Sequence, residues 1–143
     1  MTLDNLVGMS LEVIAPDPLT IRRLLEAAQR NLQDAKLIQL SNENRFDVAY
    51  KSIMQMANAA LQSRGYRTLT SKPGHHQTMI QTLPKTLNIS HAQIIILDAL
   101  RKQRNVADYS GDLVTDAAVN ECIIQAEALW KIIETKTSLL NEK

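Results

Sequence analysis

The sequence predicts an all-α fold: an up-down helical bundle of four long helices plus a short one, with a flexible N-terminal arm. Apolar residues recur at helical spacing, most completely in Phe46, Ala49, Tyr50, Ile53, Met54, Ala57, Ala60 and Leu61. Breakers are scarce, with four Gly and four Pro in 143 residues, and the many Ala, Leu, Gln, Lys and Glu favour helix over sheet. Start signals fall in the gaps between the apolar stripes: Asp17-Pro18, Ser41-Asn42, Ser90-His91-Ala92-Gln93 and Thr115-Asp116. In each, a short polar side chain can accept from the free amides of a first turn.

Residues 1–16 carry no helical stripe and form the arm; Leu11, Val13 and Ile14 suit a short strand, mobile or docked on a neighbour. Residues 17–143 form the bundle. The first helix starts at Pro18 and runs to about Leu40, burying Ile21, Leu24, Leu25, Ala28, Leu32 and Ala35. The Ser41–Asn44 break is short, so the second helix folds back as an antiparallel hairpin. Gly65 ends it in a left-handed cap. Tyr66 to Gly74 reads as a loop, followed by a third helix with His76, Met79, Ile80 and Leu83 on its stripe. Pro84 shortens or kinks that helix. The fourth opens on the Ser90–Gln93 capping box, and its run Ile94–Leu97 predicts a central position with neighbours on several sides. The last helix has one stripe in Val119, Ile123, Ala126, Trp130, Ile133 and Thr137 and a second in Ile124, Leu129 and Ile132. Two apolar faces exceed what one bundle groove covers, which fits a dimer interface or a contact with the arm.

The fourth helix closes on the segment Asp98 to Gly111, DALRKQRNVADYSG. Arg104 continues the stripe of Leu97 and Leu100, where an apolar residue is expected. A buried charge needs a partner, and Asp108, four residues on, can supply it. The pair reads either as a structural lock at the bundle end or as part of a site. The string Arg104-Asn105-Val106-Ala107-Asp108-Tyr109 resembles the signature segment of the HEPN domain superfamily, small α-helical modules. More closely, it resembles the branch with an Arg-x-x-Ala-Asp-Tyr motif in place of the catalytic His. The likeness runs from about Asp17 to the C-terminus in helix order.

That resemblance implies RNA or nucleotide binding, with weak or no ribonuclease activity because the usual His is absent. Arg104, Asp108 and Tyr109 are the candidate catalytic group, with Arg104 on a phosphate and Asn105 orienting it. It also implies a homodimer, or an interaction protein of a toxin–antitoxin or defence system paired with a nucleotidyltransferase. Arg101 and Lys102 add positive charge one turn earlier, and Lys72, His75 and His76 form a second candidate anion-binding group beside a helix N-terminus.

Net charge is +1, but its distribution is uneven. Between Arg64 and Arg104 seven cations face one acid, Asp98, whereas acids dominate after Asn105. That split suits an anion-facing surface, pairing ends of a dimer, or plain solvated faces. The single Cys122 excludes an internal disulfide and a cysteine zinc site. Adjacent His75 and His76 point to different helix faces, so no metal is expected. No Walker loop, GxGxxG or nucleophile elbow is present, so no cofactor is expected. No apolar run approaches about 20 residues, and a cytoplasmic protein without membrane contact is the expectation.

Overall fold

A computed structural model describes residues 2–71, 74–111 and 113–136, except for the side chains of Asp108 and Tyr109. Five helices form the bundle: α1 (Pro18–Ala35), α2 (Asn42–Ser63), α3 (His75–Thr86), α4 (His91–Ser110) and α5 (Asp116–Thr135). Two three-residue strands, β1 (Leu11–Val13) and β2 (Tyr66–Thr68), pair antiparallel beside them. Four helix starts are set by local polar caps. Asp17 accepts from Leu19 N, Ser41 from Asn44 N, Ser90 from Gln93 N and Thr115 from Ala118 N. Each removes one orphan amide of a first turn.

Cross-helix bonds give the directions. Ser52 Oγ donates to Ala28 O at 2.8 Å and Arg45 Nε to Ala35 O at 2.8 Å, so α1 and α2 are antiparallel. Asn42 Nδ2 donates to Asp116 Oδ1 and Cys122 Sγ to Phe46 O, so α5 runs with α2. Gln93 Nε2 donates to Gln125 Oε1 and Arg104 Nε to Asp47 Oδ1, so α4 opposes both. The four long helices therefore alternate up and down, as the sequence predicts, and α3 is the short one. The Gln93 side chain goes to Gln125 and not back to the Ser90 amide, so only half of the expected capping box is made.

The central helix is α2, not α4. Eleven of its residues are buried, and it meets α1, α3, α4, α5 and β2. Its Ala49, Ala57, Ala59 and Ala60 let neighbours approach closely. The run Ile94–Leu97 splits instead: Leu97 is buried and Ile95 is 57 % exposed. On α5, Leu129 and Ile132 of the second stripe join the first against the core, which leaves Ile124 outside at 56 % exposure; Thr137 lies outside the described residues. Helix α1 stops at Ala35, short of the expected Leu40, and Leu37 and Ile38 are exposed in the turn that follows.

The arm has a seat on its own chain. Leu11 pairs with Thr68 and Val13 with Tyr66, so the segment expected to be a loop after Gly65 contains a strand. Leu11 is fully buried. The Tyr66 hydroxyl donates to Asp4, and Arg67 pairs with Glu12 at 3.0 Å. Gly65 makes the join: its φ is +87°, its carbonyl accepts from Ile14 N at 2.8 Å, and an added Cβ would meet Ile14 O at 3.4 Å. Only glycine takes that backbone region without strain. Gly65→Ala is expected to cost about 1–2 kcal/mol, read as a shift in the urea midpoint; a loss below a few tenths would mean the left-handed turn is not needed.

Candidate functional site

A cleft of about 320 Å3 opens along α2. One wall is the α2 face formed by Asp47, Tyr50, Lys51, Met54, Gln55 and Asn58, residues three and four apart over three turns. The opposite wall comes from His76 and Met79 on α3 and from Arg104 on α4. Arg104 is neither enclosed nor fully solvated. Its side chain is 30 % exposed, its Nε lies 3.0 Å from Asp47 Oδ1, and its guanidinium carbon sits 5.2 Å from the centroid of the Tyr50 ring. Tyr50 is buried, and its hydroxyl lies 3.2 Å from His76 Nδ1. Arginine, phenol and imidazole from three helices thus meet around one ring.

The electrostatics of this corner follow from burial. Loss of water pushes the Tyr50 phenol up to about 12, against the pull of Arg104 and Arg101. Tyr50 therefore stays protonated and can donate to an unprotonated His76 Nδ1, with the neutral imidazole carrying its proton on Nε2. His76 is itself held below its ordinary value, first by burial and then by the nearby His75, Arg104 and Arg101. As pH falls through 6.5, the ordinary value, the unfolded chain takes up this proton before the folded chain does. Stability is then lost as pH drops further, until the folded imidazole also charges. The melting temperature of the wild type should therefore fall more than that of His76→Gln between about pH 7 and pH 5; parallel curves would show that His76 titrates as it does in the unfolded chain.

The other expected site residues disperse. Asn105 is exposed and does not line the cleft. Arg101 and Lys102 both pair with Asp98, at 2.9 and 3.4 Å. Lys102 points to a different hollow, beside Ile80 and Ile95, while the charge of Arg101 still reaches Tyr50 and His76. His75 stacks edge-on against His76 with centroids 5.0 Å apart, outside the cleft lining. Lys72 and the side chains of Asp108 and Tyr109 lie outside the described residues. Residues that sequence reasoning missed are Asp47, Lys51, Gln55 and Asn58, all polar positions on the flank of an apolar helix stripe.

Cys122 is buried, and burial pushes its thiol up to about 12, which removes it as a nucleophile. Among the described residues, no group of three or more His, Cys, Asp and Glu comes together to hold a metal ion. Among the same residues, no helix is long and apolar enough to cross a membrane. No family model and no curated protein matches the chain.

Proposed function

We propose that this chain is a HEPN-like module that binds RNA or a nucleotide, acting in the cytoplasm as a homodimer, with weak or no ribonuclease activity. The observation that supports this reading is the position of Arg104: partly exposed in the wall of a cleft, held by Asp47 and laid over Tyr50. A guanidinium fixed in this way presents a rigid fork to a phosphate. Lys51 on the facing wall is exposed and adds a second positive charge. The site is poorly equipped for proton transfer. Tyr50 is too weak an acid at neutral pH, and the His76 imidazole in the cleft is engaged with the Tyr50 hydroxyl through Nδ1. Absence of a general acid/base typically costs about 10² to 10⁴ in rate. The test is retention of a short single-stranded RNA on a filter as protein is titrated, at several salt concentrations. Saturable retention that weakens as salt rises supports the reading; no retention at low salt ends it.

A second reading has its own support in the exposed apolar positions Ile95, Ile96 and Ile124. They lie on α4 and α5, which are joined by the Gln93–Gln125 bond. In this reading the chain is an interaction protein of a toxin–antitoxin or defence system, docked on a nucleotidyltransferase, and Arg104 serves only to lock α4 onto α2.

A further inference from the structure

We propose that the Arg104 cleft holds one nucleotide unit end to end, with its phosphate at the Arg104–Lys51 end and a keto base, uracil or guanine, at the Met54–Asn58 end. This rests on the nucleotide reading above and names the ligand that such a site selects. The first support is the charge gradient along the cleft. Every charged lining group among the described residues sits at one end, where Asp47 and Arg104 are bonded and Lys51 is one turn along. Beyond them the lining is Met54, Gln55, Asn58 and Met79, with no charge. From Lys51 to Asn58 the helix rises about 11 Å, the reach from a phosphate to the far edge of a base within one nucleotide. The cleft volume of about 320 Å3 suits one such unit and not a folded RNA.

The second support is the floor. Met54 and Met79 are buried, and they come from facing helices. Thioethers are polarisable and adapt to the edge or face of an aromatic ring, so a base fits between them better than a sugar or a peptide does.

The third support gives the selectivity. Asn31 Nδ2 donates to Gln55 Oε1 at 2.8 Å, and Gln62 Nε2 donates to Asn58 Oδ1 at 3.1 Å. Both amide oxygens are thereby engaged, which turns the two NH2 groups into the donors available to a ligand. Donors recognise the carbonyl oxygen at the base edge of uracil or guanine. The exocyclic amine of cytosine or adenine at the same place sets donor against donor.

The test is calorimetric titration of the full chain with the 5′-monophosphates of uridine, guanosine, cytidine and adenosine, and with inorganic phosphate. Uridine and guanosine monophosphates should bind tighter than the other two by on the order of tenfold, and inorganic phosphate weakest. Asn58→Asp keeps the bond from Gln62 but replaces a donor with an acceptor, and should bring the uridine-to-cytidine ratio close to one. Equal affinity for all four nucleotides, a preference for the amino bases, or an unchanged ratio in Asn58→Asp overturns the base subsite while leaving a phosphate site standing. No heat with any of the five overturns the subsite and the nucleotide reading together.

Discussion

Arg104→Ala is expected to reduce affinity for RNA or a nucleotide by roughly 10- to 100-fold, the worth of a charge-assisted bond to phosphate, while the chain stays folded. The fold should tolerate the loss of its contacts with Asp47 and Tyr50, because both are weak. The Asp47 partner is 52 % exposed, and ion pairs so open contribute about 0.2–1 kcal/mol. The guanidinium over Tyr50 adds about 0.5–1 kcal/mol. A drop of a few degrees in melting temperature accompanies a loss of about 1 kcal/mol in a domain of this size. Arg104→Lys keeps the charge without the planar fork and should fall between wild type and the alanine variant. Filter binding and thermal melting of the three proteins decide between the two readings. Unchanged RNA affinity with a lowered melting temperature would assign Arg104 to holding α4 on α2 and nothing more.

Phe46→Ala is expected to cost about 3–5 kcal/mol, the usual range for emptying a buried phenylalanine site. Phe46 is 2 % exposed and is among the largest fully packed side chains. It sits one turn from the start of α2, where Val114 leads into α5 and where its own carbonyl accepts from Cys122. Three segments meet there, and each is anchored elsewhere by polar bonds: Asn42 to Asp116, Glu43 to the Val114 amide, Arg104 to Asp47. Those ties resist collapse around the missing ring, so the void persists. Against a total stability of about 5–15 kcal/mol, this one change takes a large share. Urea denaturation should show a lower midpoint with the slope unchanged; a loss under about 1 kcal/mol would mean that the site closes up freely.

What was legible in the sequence was local. Asp17, Ser41, Ser90 and Thr115 act on amides two or three residues away, so their roles can be read from spacing alone. Gly65 likewise declares its turn. The stripe of α2 was readable because a helix buried against several neighbours repeats its pattern over many turns. What failed depends on which partner faces which side. Leu37 and Ile38 look like helix, yet no neighbour covers them and the chain turns at Lys36. The run Ile94–Leu97 looks central, yet only one of its sides meets the core. At the site, Arg104 draws on Asp47, 57 residues earlier, and Tyr50 on His76, 26 residues later. Periodicity carries no information about such pairs. The Arg104 stripe position was readable, while its half-open setting was not, because that depends on the gap between α2 and α4.

The β1–β2 ribbon has a consequence for how this protein is handled. It ties the first dozen residues to the stretch that delivers His76 to Tyr50. Proteolytic trimming near Ile14, or a bulky fusion placed there, would strip the mate from Tyr66–Thr68 and slacken the crossover leading to α3. Preparations shortened at the front end would then differ in how firmly His76 is held against Tyr50, even with every cleft residue still in place.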